Sequence, residues 1–481
     1  MDAALLANFA GDDSRRGPAP DRAFSGAAGG SVCGDLVRVS IVLCDGAIDA
    51  VTFDAEGCAA ASAAAAAVAE LADGEDVIRA AAIGSADVAE ALGGLSPQGR
   101  HAAALAADAL HRALSSAASS GVELAASPAR RQRVLVAMSG GVDSAVAALL
   151  ERERGADVVA VTLKLWADRH NDGAQSCCSP EAVIGARALA HSMGIPHLTL
   201  DLEAAFRSQV VGEFVRGYGE GRTPNPCVIC NGDLRIDAML ALADRLGASG
   251  LATGHYARVV DDGDGPLLAA ATDAAKDQTY MLSALRPSTV GRLCFPLADL
   301  TKPQVRELAA AAGLAVASKS DSQDLCFLAG EGKRSFLARH AGLADNPGEI
   351  VDASGSVVGR HSGFHNFTVG QRRGLGIGGG APLYVLETDA ADNRVVVGGR
   401  EDLARTRVRL RDAHLRRSGD RVDSVKLRYR SRPIDCAVSG EAGRHDELWL
   451  ELAEPAYGVA PGQTACLMDG TMVVGHATIA A

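Results

Sequence analysis

From Leu36 to Phe53 the chain alternates apolar and polar residues about Asp45-Gly46 (LVRVSIVLCDGAIDAVTF), which predicts a β-hairpin. Ala-rich stretches at helical spacing follow near 58–72 and 99–117. Together they read as a small α+β domain over 29–120. Residues 1–28, rich in Gly, Pro, Asp and Arg and without periodicity, read as a mobile arm. The polar stretch 118–131 (ASSGVELAASPARR) reads as a connection, with a linker proper at 121–131.

A second pattern begins with RVLVAM at 133–138, a short apolar strand. SGGVDS, a helical AVAALLERE and a second apolar strand, DVVAVTLKLW, come next. Helical and strand stretches alternate to about residue 255, the signature of βαβ units and a doubly wound parallel sheet. Past about residue 345, strands with Gly-rich turns dominate, as in VVVGGR, LWLELAEP and TACLMDGTMVVGHATIA. The expected architecture is multidomain α/β. A small α+β domain precedes a central parallel-sheet domain at 132–335. All-β domains follow at 336–400 and 401–481, the last barrel-like.

Composition narrows the class. The chain has 481 residues, 48% hydrophobic and 22% charged, which excludes whole-chain disorder and fibres. Its longest small-apolar run, Cys58 to Ala69, is too short to span a bilayer. The start, MDAALLANFAGDD, has no basic region before an apolar one, so the expected compartment is the cytoplasm, with no membrane partner. Eleven cysteines in a reducing compartment read as metal ligands, redox thiols or buried residues. Cys294 and Cys466 lie in apolar runs and read as core. The adjacent Cys177 and Cys178 read as structural. The net charge of −12 argues against a nucleic-acid partner until it is divided: 1–125 carries −10 and 126–481 only −2, with +5 over 401–435.

SGGVDS at 139–144 sits between a strand and a helix. Its glycines let backbone N–H groups face an anion, the helix N-terminus adds a positive end, and Ser139 and Ser144 add hydroxyls. The Gly-Lys-Ser/Thr ending of a Walker A loop is absent. The loop instead resembles the pyrophosphate loop of ATP pyrophosphatases. Farther on, GRTPNPCVICN at 221–231 carries a Cys-x-x-Cys stiffened by two prolines, a spacing that suits one metal, one cluster or a redox pair. Gly254-His255-Tyr256, Lys276-Asp277-Gln278 and SQDLCF around Cys326 follow in order, then TVGQRRGLGIGGG at 368–380 and LRYR at 427–430.

This collinear set resembles the tRNA-specific 2-thiouridylases over roughly 132–481. The resemblance implies ATP-dependent replacement of the C2 oxygen by sulfur at the wobble uridine of Lys, Glu and Gln tRNAs. A cysteine desulfurase or sulfur-relay protein would be the donor, and ATP and Mg2+ the cofactors. By the same resemblance Ala137, Met138, Ser139, Gly140, Gly141, Val142, Asp143, Ser144, Leu163 and Gly254 hold ATP. Cys230 is the nucleophile and Cys326 carries the persulfide. His255, Lys276, Asp277, Gln278, Arg428, Tyr429 and Gln463 touch tRNA, and Asn225, Pro226 and Cys227 lie beside the target base. Arg428 to Arg432 are expected to alternate with Tyr429 on a strand, suiting phosphate contact and stacking. Cys227 stands where many members carry Asp. Cys227, Cys230 and Cys326 would then hold a [4Fe–4S] cluster with one open iron, or Cys227 is accessory to a persulfide on Cys326 and a Cys230–Cys326 disulfide.

Cys33, Asp35 and Cys58 resemble ligands of the IscU/NifU-type iron–sulfur scaffold domain, over about 22–117. Ala102 replaces that family's third cysteine, and His101 is the substitute ligand. The resulting set would hold iron, zinc or a weak cluster, or the domain is a docking surface. Two rival functions remain. A small-molecule ATP pyrophosphatase synthetase would not need TPNPCVICN, Cys326 or a basic β-domain. An iron–sulfur carrier would leave the intact ATP loop unexplained.

Overall fold

The computed structural model describes residues 3–30, 34–96, 99–125, 132–168, 179–320, 325–328, 330–378 and 381–481. The hairpin forms as expected from Leu36–Cys44 and Ala47–Glu56, with Asp45 (φ 50°) and Gly46 (φ 79°) in a left-handed turn. Phe24–Gly29 adds a third antiparallel strand. Helix Arg100–Ser120 lies so close to it that a Cβ on Gly26 would stand 2.3 Å from the Ala109 carbonyl oxygen. The described part of the expected mobile arm, residues 3–28, is tied down by contacts with the rest of the unit. Helix Ala3–Ala10 packs on helix Ala59–Ala72, Arg15 pairs with Asp73 at 2.7 Å, and Arg16 donates to the Ala55 carbonyl. These anchors are long-range, so local periodicity did not show them.

The central unit is a five-stranded, all-parallel sheet in the order Leu293–Cys294, Leu251–Thr253, Arg133–Ala137, Asp157–Lys164, His197–Asp201. Its two central strands are apolar over Val134–Val136 and Val158–Val161 because both faces are covered. The β region divides into a four-stranded sheet (Val357–His361, Gly348–Asp352, Arg394–Gly398, Tyr384–Asp389) and a closed barrel. Strand Ala404–Leu415 closes the barrel by pairing with both Gly443–Tyr457 and Met472–Ile479. The hairpin Arg258–Asp261/Pro266–Ala269, carried by the central segment, extends this sheet through Met472–Val473.

The N-terminal unit is docked on the central one. Ala103, Leu110 and Leu114 share a continuous core with Val159, Leu198 and Leu246. Within the expected linker, Leu124 is fully buried, and Arg245 donates to the Val122 and Ala118 carbonyls. Arg187, 9% exposed, pairs with Asp108 at 2.7 Å. Around it lie His111, donating from Nε2 to the Ile83 carbonyl (2.9 Å), and His191, donating to the Ala81 carbonyl (3.1 Å). His197 joins them, its Nε2 2.8 Å from Thr162 Oγ1. Burial, then the charge of Arg187, holds His111 well below the usual imidazole range and His197 at about 3.

These imidazoles stay neutral when folded but bind protons when unfolded. Their contribution is therefore present above about pH 6.5 and lost as pH falls toward the folded values. Urea unfolding at pH 7.5 and pH 5 is expected to show a loss of about 2 kcal/mol for each of the two fully buried rings. A His197→Gln variant should show a shallower slope.

Candidate active site

Strand Arg133–Ala137 ends at the point where sheet order reverses, between neighbours wound in opposite directions, which opens a crevice at its carboxyl end. Ser139-Gly140-Gly141 turns there into helix Val142–Glu153, with Gly140 at φ 70°. The Ser139 N–H donates to Ser144 Oγ (3.2 Å), whose hydroxyl donates to the Gly141 carbonyl (3.1 Å). Asp143 accepts from the Tyr256 hydroxyl at 2.9 Å and from Lys302 Nζ at 2.8 Å on both oxygens. Gly254 is where backbones nearly touch: a Cβ there would lie 2.7 Å from both the carbonyl carbon of Asp143 and the nitrogen of Ser144. Met138 and Val142 are buried beneath the loop, while Ala137 and Leu163 end neighbouring strands half-buried. Lys302 and Tyr256 were not singled out from the sequence, because only tertiary contacts bring them to the loop.

Asn225 caps the short helix Pro226–Cys230, its Oδ1 accepting from the Val228 N–H, and proline suits the first turn. Cys227 and Cys230, three residues apart, share one side of this turn. The helix continues as a π-turn over Asn231–Arg235, a feature that recurs at functional sites. Cys230 is 6% exposed in an aromatic cluster with Trp166, Phe214 and Phe327, and half-buried Cys326 packs against the same cluster. Burial pushes the Cys227 thiol up, and the Arg235 guanidinium pulls it back down.

Arg235 Nη2 donates to His255 Nε2 at 2.8 Å, so the neutral imidazole carries its proton on Nδ1, 2.8 Å from Thr253 Oγ1. Burial, with Arg235 adding to it, holds His255 at about 3. Gln463 donates to the Thr223 carbonyl at 2.7 Å, tying the barrel to the segment entering the cysteine helix. Asp277 pairs with Lys426 at 2.9 Å, and Gln278 accepts from the Tyr256 N–H. Lys276 lies in the same turn, its N–H on the Asp273 carbonyl.

Arg428 and Tyr429 occupy a turn rather than the expected strand, because the strand ends at Lys426 and Arg430 takes φ 61°. Arg428 donates to the Val369 and Gly458 carbonyls, and Tyr429 stands 6.3 Å from Tyr280. A cavity of about 220 Å³ opens between Asp277, Tyr280, Lys426, Tyr429 and Arg430.

In the N-terminal unit the Asp35 carboxylate accepts from the Cys58 N–H at 2.8 Å and lies 3.5 Å from its Sγ. Gly57, at φ 125°, permits this, since a Cβ would meet Asp35 Oδ1 at 2.0 Å. His101 is exposed at the start of its helix and Ala102 is buried. Cys33, like Cys177 and Cys178, lies outside the described residues. Among the described residues, the one group with single-ion spacing is Asp168, Glu331 and His340, where Arg339 already bridges the two carboxylates. Cys227, Cys230 and Cys326, all among the described residues, do not form such a group, although a cluster takes its thiolates on separate irons and spaces them wider. Cys466 is fully buried, and Cys294 packs half-buried on the central core.

Four family models match: the NifU-like N terminal domain (12–120), the tRNA methyl transferase HUP domain (132–330), the tRNA methyl transferase PRC-barrel domain (334–399) and the aminomethyltransferase beta-barrel domain (412–479). The bifunctional protein NifU/MnmA of Rubrobacter xylanophilus is 47% identical over 466 residues, covering 95% of this chain and 93% of that protein. The chain belongs to the NifU/MnmA family. Its thiouridylase portion is also similar to the tRNA-specific 2-thiouridylase MnmA of Acidithiobacillus ferrooxidans, at 44% identity over 72% of this chain and 97% of that one. The MnmA of Bradyrhizobium diazoefficiens is 45% identical over 70% and 88%. In NifU/MnmA terms the Asp35–Cys58 pair belongs to the NifU-like portion, and SGGVDS and the cysteine helix to the MnmA portion. No helix among the described residues is long and apolar enough to cross a membrane.

Proposed function

We propose that this NifU/MnmA chain thiolates uridine 34 of Lys-, Glu- and Gln-type tRNAs, using ATP. The observation that carries this is the segment 253–256, which joins the two halves of the site. Gly254 abuts the SGGVDS backbone and Tyr256 bonds Asp143, while His255 between them bonds Arg235 of the cysteine segment. A base at the cysteine helix and a nucleotide at the loop would meet across these residues. The uracil O2 attacks the α-phosphate, expelling pyrophosphate, and sulfur then attacks C2 as AMP departs with the oxygen. The anticodon loop is single-stranded, so unstacking the base costs little.

On the persulfide route, favoured by the shared aromatic cluster, the outer sulfur of a Cys326 persulfide attacks C2; the Cys230 thiolate then attacks the Cys326 sulfur, breaking the S–S bond to free the 2-thiouridine and leaving a Cys230–Cys326 disulfide that an external thiol reduces. Cys227, Cys230 and Cys326 fit a [4Fe–4S] cluster as donors, two on one helical turn and the third on the shared core. When bound it would supply an open iron for hydrosulfide. Mg2+ would accompany ATP, and a cysteine desulfurase or relay protein would supply sulfur. At the N-terminal unit Cys33, Asp35, Cys58 and His101 would hold iron or zinc.

The test is pyrophosphate release from ATP, expected only with tRNA, together with mass spectrometry of 2-thiouridine. Release without tRNA, or with a small carbonyl compound instead, would sink the proposal. Iron and acid-labile sulfide of the chain purified without oxygen, beside Cys227→Ala, decides between the cluster and a persulfide. Gly254→Ala is expected to raise the ATP KM by about tenfold or more, since its Cβ must displace the phosphate-loop backbone and weaken its N–H contacts. An unchanged KM would remove Gly254 from the site.

A further inference from the structure

SGGVDS holds no lysine, yet a triphosphate would bring several negative charges to it, and Asp143 adds one more. Two lysines reach the loop from 159 and 179 residues away. Lys302, 8% exposed at the start of helix Lys302–Ala311, holds Asp143 through both oxygens. Lys319 Nζ donates to the Gly140 carbonyl at 2.9 Å, at the glycine where the loop turns.

We propose that Lys319 is a pyrophosphate-binding residue of the SGGVDS loop and Lys302 its positioning partner, the pair doing what a Walker A lysine does from within its own loop. The inference rests on the ATP reading above. The two lysines act differently because their partners differ. Lys302 is buried against a carboxylate, so it offsets the charge of Asp143 that would repel a polyphosphate. Lys319 is exposed and its ammonium faces a neutral carbonyl. Phosphate oxygens hold an ammonium more strongly than a carbonyl does, so the exchange is favourable. Arg306 fixes the backbone around Lys319 independently of its side chain, donating to the Ala317 carbonyl at 2.8 Å and to that of Lys319 at 3.0 Å. Truncating Lys319 therefore removes a charge and leaves its backbone anchored.

The experiment uses the full chain, Lys319→Ala and Lys319→Arg, with inorganic pyrophosphate as the probe. Lys319→Ala should raise the ATP KM by about ten- to a hundredfold, the size of one hydrogen bond to a charged group. Inhibition by inorganic pyrophosphate should weaken in proportion, the tRNA KM should stay put, and arginine should restore most of the loss. Wild-type ATP KM and pyrophosphate inhibition in Lys319→Ala would overturn the proposal. So would an equal rise in both KM values that arginine does not rescue, which marks a structural effect. If the unaltered chain itself releases no pyrophosphate with tRNA, the ATP reading fails instead, so the two failures are distinguishable.

Discussion

Cys230→Ser is expected to lower tRNA thiolation by about a thousandfold or more, roughly 4 kcal/mol of barrier, because a serine hydroxyl stays protonated where a thiolate attacks. The substitution removes little volume from a site 6% exposed among aromatic rings, so the fold should persist. Cys326→Ser should be equally severe, since its thiol packs on that same cluster and would carry the transferred sulfur. Neither change touches the phosphate loop, so ATP affinity should stay within about twofold, well inside the tenfold that 1.4 kcal/mol represents. Mass spectrometry of the tRNA and equilibrium ATP binding measure the two quantities separately. Wild-type-like thiolation by either variant would remove that cysteine from sulfur transfer. Loss of ATP binding along with activity would mean that the cysteine helix supports the loop through Arg235 and His255 rather than doing chemistry.

Local signals were legible where one short stretch contains the whole device. The Asp45-Gly46 turn and the apolar strand before SGGVDS form as their residue types dictate. Devices assembled from distant stretches were not legible. Lys302 and Lys319 look like ordinary surface lysines until the helix after the last parallel strand folds back over the loop. Arg428 reads as a phosphate ligand from its alternation with Tyr429, but the turn directs its guanidinium at two carbonyls. The arm and the linker looked mobile because their anchors, Asp73 for Arg15 and Arg245 for Val122, lie 58 and 123 residues away.

The second large effect concerns that docking. Asp108→Ala is expected to cost about 3 kcal/mol, because it leaves the Arg187 guanidinium 9% exposed and without its carboxylate, beside His111, His191 and His197. Water cannot readily replace the lost oxygen there, and neutral rings offer the cation little. Arg112, the other partner of Asp108, is half exposed, so losing that pair adds almost nothing. The double change Asp108→Ala/Arg187→Met removes the stranded charge and fills its space, so it should recover a large part of the loss. Urea unfolding of the full chain measures both. If the buried pair holds the units together, the single change should also let the N-terminal unit unfold before the sheet, visible as a second transition. A cost under about 1 kcal/mol, the range of exposed ion pairs, would mean that the NifU-like unit is a tethered module. A cost near 3 kcal/mol makes it part of the scaffold that carries the SGGVDS crevice, because the strand it covers, His197–Asp201, pairs directly with Asp157–Lys164 beside the phosphate-loop strand.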